Sequence, residues 1–407
     1  MKKYLRPKYL ILFVVGLVAL LIGGSYVQLN RDIPDLALKE TTDAAVPAEA
    51  QGGDEASLAL PWPAKGSAAV AIAGVGQMGA VRDERSQPIA SLAKVMTAYV
   101  ILKDHPLTPG EKGPDIQVQA SDVELYRAQE RNGESVIAVK EGQTFTQAEL
   151  MQGLLIPSGN NFAFMLAAWN SGSVEAFVER MNQEAAALGM TKTHYAEPSG
   201  VSAETRSTAP DQARLAEAAM ANPVIADIVV KKQAILPNVG VLFNVNSELE
   251  RMSLAGIKTG WTEDAGGCFM FAADRVVDGA PVRIYGAVLG QDTLADAFNS
   301  SNALIATASA SLQRLAVVTK DEQLAVVRTK WDENAAAVAA SDASLVVWPG
   351  LKVARTVEAG PALESVKQGQ EVGKVIYSAG GQVIPVPLLA SESVSGAGIG
   401  WRLTRLQ

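Results

Sequence analysis

A single cysteine, Cys268, and two histidines, His105 and His194, are all that 407 residues offer of the side chains that most often build redox, disulfide and metal centres. One thiol cannot close an internal disulfide or furnish a Cys-rich metal site. Cys268 reads as a small buried residue beside a strand. Two isolated histidines give little basis for a zinc site or a Ser-His-Asp triad, and both read as ordinary surface or core residues. Neither a metal nor a cofactor is called for. Positive charge is also short: the formal net charge is -8, which argues against nucleic acid as a partner. Charged residues make up 19% and apolar ones 48%, an ordinary balance for a soluble protein once the first 30 residues are set aside.

Those first residues lack charge in a different way. Lys2, Lys3, Arg6 and Lys8 come without an acid, and then Tyr9 to Leu29 carries no charge at all. Such a run can cross a bilayer as a helix, with its basic flank kept in the cytoplasm and everything after Asn30 exported. Its length and the lack of an A-x-A site favour a retained anchor over a cleaved signal, although Gly23-Gly24-Ser25 could be cut. Residues 1–8 are thus expected to be a cytoplasmic tail and 9–29 a transmembrane segment. Residues 30–58, rich in Ala, Asp and Glu with almost no aromatics, read as a disordered acidic tether.

Folded sequence begins near Pro61-Trp62-Pro63. An apolar run from Ser67 and glycines at 74, 76 and 79 predict a hairpin, which leads into ASLAKVMTAYVILKD. From Ala90 to Leu102 the only strongly polar residues are Ser91, Lys94 and Thr97, so this helix is expected to lie inside a core. Ser91 in its first turn and Lys94 three residues on project from one face. A buried ammonium is costly, and a lysine that loses its proton beside a serine hydroxyl can activate a nucleophile without histidine. The S-x-x-K spacing is common by chance, and serine is also a common helix cap. Two later signals decide between the readings.

Residues 111–143 read as a polar lobe of loops and short helices. Thr146 and Glu149 form a capping box for a helix that delivers the chain to Ser158-Gly159-Asn160. Helical periodicity follows over residues 161–169 and 174–188, and Gly189 stops it. Lys258-Thr259-Gly260-Trp261 precedes two strand signals, residues 266–273 and 282–289, joined by a turn at Asp278-Gly279. A last helix is expected from 293 to 315. Beyond Val317, short Val-rich runs at 345–348, 353–357, 372–377 and 383–389 alternate with turns, the pattern of a small all-β domain. Residues 335–340 are ambiguous.

With Ser91-Leu92-Ala93-Lys94, Ser158-Gly159-Asn160 and Lys258-Thr259-Gly260 in this order, the chain resembles the serine-type D-alanyl-D-alanine carboxypeptidases, the low-molecular-mass penicillin-binding proteins of the S11 kind. Ser207-Thr208-Ala209 with Asp211 agrees, as does Lys367-Gln368-Gly369-Gln370-Glu371-Val372-Gly373-Lys374, which looks like the β-domain that often follows. The resemblance implies an α+β fold: a β-lactamase/transpeptidase-like domain over 59–316, with an antiparallel sheet flanked by helices and an all-helical lobe, then a β-rich domain over 317–407. Departures exist. Asn161 and Phe162 follow the second motif where Asp-Ala is common, Glu197 stands where asparagine is common, and residues 291–313 hold no arginine to grip a substrate carboxylate.

Roles carried over by the resemblance are a nucleophile at Ser91, a general base at Lys94 and a proton relay at Ser158. Asn160 is expected to bond the substrate backbone and Lys94. Lys258 and Thr259, on a strand edge, would hold the free carboxylate, with Lys258 as a standing cation. Gly260 leaves room, and the backbone N–H groups of Ser91 and Trp261 would form the oxyanion hole. The implied substrate is the peptidoglycan stem pentapeptide, cleaved before its terminal D-alanine, and β-lactams are the implied inhibitors. The implied location is the cell membrane, single-pass, with the catalytic part facing the wall. Alternatives are D,D-endopeptidase, transpeptidase or β-lactamase activity on the same fold, or a penicillin-binding wall module that does not turn over. No segment resembles the glutamate-bearing loop that a class A β-lactamase uses to position water.

Overall fold

The computed structural model describes residues 7–41, 58–249 and 254–405. The basic residues Lys2, Lys3 and Arg6, and residues 42–57 of the expected tether, lie outside that range. The chain divides into two compact units, one spanning Ala56–Gln313 and the other combining Met1–Glu55 with Arg314–Gln407.

A five-stranded antiparallel sheet organises the first unit, in the order Leu254–Thr262, Gly266–Val277, Ala280–Gln291, Ser67–Ile72 and Gly76–Val81. The Asp278-Gly279 turn works as read: Val277 pairs with Ala280, and both turn residues have positive φ, as a two-residue hairpin requires. Alternation along Gly266–Val277 then sorts side chains to two faces. Cys268, Met270 and Ala272 join the large core shared with the helices, while Phe269 meets Phe298 of the helix Leu294–Ser311 edge-on at 5.0 Å. Both faces are covered, which is why these strands are apolar throughout rather than alternating.

The helix Ala93–Asp104 is buried on nearly every side, as its all-round apolarity predicts. Around it pack the helices Gln147–Leu155, Asn160–Ser171 and Val174–Ala187. Thr146 and Glu149 form the expected reciprocal cap: Glu149 N–H donates to Thr146 Oγ1 (3.3 Å), and Thr146 N–H to the Glu149 carboxylate (2.8 Å). A hairpin the sequence reading passed over joins Gln233–Leu236 to Gly240–Phe243.

The second unit is built on a six-stranded antiparallel sheet, ordered Ala37–Glu40, Gln323–Arg328, Asn334–Ala339, Gln382–Ala390, Glu371–Ala379 and Val353–Ala359. The ambiguous stretch at 335–340 is a strand, because Ala335, Ala337 and Ala339 face the core and the residues between them do not. The tether expectation is corrected at Ala37–Glu40. These residues pair with Arg328 back to Ala325 along the sheet edge, and Leu36 and Leu38 pack on the unit's core. The helix Pro7–Leu29 is long and apolar enough to cross a membrane.

Candidate active site

Three separate segments of the first unit supply one cleft. A tight turn, Ala90–Leu92, holds Ser91 just ahead of the buried helix, and Lys94 rises from that helix's first turn. Its Nζ lies 2.7 Å from Ser91 Oγ and donates to the Ser199 carbonyl at 2.9 Å. Ser158 sits in the connection between two helices with φ of 69°, and Asn160 opens the second of them. Lys258, on the edge strand Leu254–Thr262, donates to Ser158 Oγ at 2.8 Å and to the Thr259 carbonyl at 2.9 Å.

The cleft has a volume of about 380 Å³ and is lined by Ser91, Ser158, Asn160, Thr259, Gly260 and Trp261, among others. Gly260 is there for space: a Cβ on it would stand 2.8 Å from the Ser91 backbone nitrogen. Only glycine lets the edge strand pass this close to the nucleophile. Trp261, next along, is 54% exposed at the rim. His105 stacks on Trp169 with ring centroids 4.2 Å apart, and His194 bridges Arg206 by backbone bonds; neither histidine lines the cleft.

Both lysines are wholly buried, at 0% and 1% exposure. Burial pushes Lys94 down to about 7, against the opposing pull of Glu197 and then Glu134. Lys258 is also lowered well below the ordinary lysine range, by burial first and by the Lys94 charge second, and among the described residues no carboxylate bonds it. Burial thus works against the charge that the expectation of a standing cation assigns to Lys258 in the ligand-free site. The physical reason is that two ammonium groups cannot share one dry pocket without counter-charge, and the carboxylates here favour Lys94.

Two residues entered the site without having been singled out for it. Glu134 lines the cleft, and its carboxylate accepts from Asn160 Nδ2 at 2.7 Å. Asn160 was expected to bond Lys94, but it donates to Glu134 instead. The stretch carrying Glu134 is pinned by Asn161, whose carboxamide bonds both the N–H (3.0 Å) and the carbonyl (2.8 Å) of Ile137. The Asn160 N–H adds a third tie, to the Ser135 carbonyl at 2.7 Å. Asn161, noted as a departure in the sequence, is thus a strut for the cleft wall. Nothing in the spacing of Glu134 marks it; only the fold brings it in.

Such a site can do acyl transfer. One pair, Ser91 with Lys94, offers an oxygen nucleophile and a base; the other, Ser158 with Lys258, offers a proton path on the same cleft. The family model for D-alanyl-D-alanine carboxypeptidases matches residues 68–293. D-alanyl-D-alanine carboxypeptidase DacC of Escherichia coli is 29% identical over 335 residues, covering 78% of this chain and 80% of that protein. DacB2 of Mycobacterium tuberculosis is 35% identical over 208 residues, covering 49% of this chain and 67% of that protein. The solved D-alanyl-D-alanine carboxypeptidase DacD of Francisella tularensis superposes with a TM-score of 0.60 at 22% identity, over 84% of this chain and 95% of that one. The expected α+β architecture, with its β-rich C-terminal region, agrees with that fold. The chain belongs to the D-alanyl-D-alanine carboxypeptidase family.

Proposed function

We propose that this serine D,D-carboxypeptidase works through an acyl-enzyme on Ser91, and that its substrate is the peptidoglycan stem pentapeptide. Ser91 Oγ attacks the carbonyl between the two terminal D-alanines, and its proton passes to Lys94 Nζ. Lys94 can accept it because burial brings the amine down to about 7, so that a large share of it is unprotonated at pH 7. The tetrahedral oxyanion is received by the backbone N–H groups of Ser91 and Trp261, a role carried by family resemblance. As the carbon–nitrogen bond breaks, the Ser158 hydroxyl gives its proton to the leaving amine and recovers one from Lys258. Water then attacks the ester, its proton passing through the Ser158 hydroxyl to the Lys258 amine. The Lys94 ammonium returns its proton to Ser91 Oγ as the ester C–O bond breaks and the shortened peptide leaves.

Lys258 and Thr259 take the substrate's free carboxylate. The arriving anion supplies the counter-charge that the empty site withholds from Lys258, so this lysine gains its proton as the substrate binds. No arginine occurs in residues 291–313, which leaves this pair to carry the recognition. A β-lactam imitates the scissile amide and acylates the same oxygen. The helix Pro7–Leu29 anchors the chain in the cell membrane with the catalytic unit outside, facing the wall.

The observation that carries this reading is the facing of two bonded pairs, Lys94–Ser91 at 2.7 Å and Lys258–Ser158 at 2.8 Å, beside one cleft. Its test is D-alanine release from a stem pentapeptide by the full chain and by Ser91→Ala. The intact enzyme should liberate free D-alanine and the variant none. Cross-linked product in place of free D-alanine would assign the chain to transpeptidation instead.

A further inference from the structure

Glu197 is only partly buried, yet its carboxylate gathers an unusual set of donors. It accepts from the N–H (2.7 Å) and Oγ (2.6 Å) of Ser199, from Gly200 N–H (2.5 Å), and more loosely from Ser202 N–H (3.3 Å) and Thr205 Oγ1 (3.5 Å). The loop wound around it is anchored at buried points: Ser199 and Thr205 have no exposure, while Val201 and Glu204 between them reach solvent. Two carbonyls of that loop face the nucleophile helix. Pro198 O accepts from Thr97 Oγ1 at 2.7 Å, and Ser199 O accepts from Lys94 Nζ at 2.9 Å. Gly200, at φ of 84°, brings the loop so close that a Cβ would stand 1.8 Å from the Ala90 carbonyl. The loop is therefore the seat of the lysine, and Glu197 is what the loop is folded around.

We propose that Glu197 is a positioning residue for the general base, acting on Lys94 both through the Ser199 carbonyl it holds in place and through its negative charge. This rests on the acyl-transfer reading of the site. An asparagine there could cap the same loop with its carboxamide oxygen, but it would bring no charge. The titratable groups around Lys94 are Glu197, Glu134 across the cleft, and Lys258 behind Ser158. Glu197 is the larger of the two carboxylate influences that oppose burial at Lys94. Its removal lets burial lower Lys94 further, so the amine sheds its proton at a lower pH. The acid limb of acylation, which follows the neutral amine, then moves to lower pH.

The experiment is the pH dependence of the second-order rate of acylation by a β-lactam, measured on the full chain. The variants are Glu197→Gln, Glu197→Asn and Glu197→Asp. Both neutral variants should shift the acid limb downward by about half a pH unit or more. Glu197→Asp keeps the charge and should leave the limb near its original position, even where the maximal rate falls. A limb that stays put in the neutral variants while the rate drops would make Glu197 scaffold alone and overturn the proposal. Failure of both neutral variants to fold would do the same. Absence of acylation in the unmodified enzyme would instead sink the acyl-transfer reading itself, so the two failures are separable.

Discussion

At the scale of single residues, the site is a problem of charge in a dry place. In the proposed acyl transfer the two buried lysines hold different protonation states, and burial pushes both toward neutrality. What separates them is their neighbours: Lys94 has Glu197 and Glu134, whereas Lys258 has only the Lys94 charge against it and, in the proposed mechanism, takes the substrate's carboxylate. Glu134 has a second task, since it holds one N–H of Asn160 at 2.7 Å and so fixes the way the carboxamide faces. In Glu134→Gln the charge-assisted bond is lost and the Asn160 carboxamide is free to turn. The loss of such a bond corresponds to about a tenfold fall in kcat/KM for D-alanine release. Steady-state kinetics on the variant checks this, and an unchanged kcat/KM would remove Glu134 from the machinery. Ser91, Lys94, Ser158, Asn160 and Lys258 were all legible because each sits in a short motif whose spacing encodes its neighbour. Glu134 and Glu197 were not, because nothing local distinguishes them from solvent-facing glutamates. Their roles exist only once Asn161 and Ser199 have been folded against them.

At the scale of elements, legibility followed the strength of the periodic signal. The buried helix Ala93–Asp104, the capped helix Gln147–Leu155 and the hairpin turning at Asp278-Gly279 each announce themselves by apolar pattern or turn chemistry. The strand Ala37–Glu40 does not. It has four residues, only Leu38 is sheltered, and its reason for being extended is a partner nearly 300 positions away. That partner, Gln323–Arg328, would otherwise be a bare sheet edge. Glu40 also pairs with the nearly buried Arg355 at 2.9 Å. Deleting residues 36–41 should therefore lower the stability of the second unit by about 2–4 kcal/mol, chiefly from lost burial of Leu36 and Leu38. Calorimetry of the deletion variant would show the loss as an earlier unfolding transition, and an unmoved transition would deny the strand a structural role.

At the scale of the whole molecule, the division of labour follows composition. The catalytic unit uses long apolar strands covered on both faces and a helix buried on nearly every side, which gives the dry environment around Lys94 and Lys258. The second unit is built from short alternating strands with alanine and valine inside. None of the cleft residues described above comes from it. Both textures were readable in the sequence, while the division between the units falls between Gln313 and Arg314. The joining of Ala37–Glu40 to the second unit was not readable, since no local pattern encodes a pairing across so much chain. The central claim is that Ser91 is the oxygen that becomes acylated. The most direct measurement is mass mapping of the intact chain after penicillin treatment. A covalent adduct on the peptide containing Ser91, absent from Ser91→Ala, is the predicted result; an adduct on any other peptide, or one that persists in the variant, would contradict it.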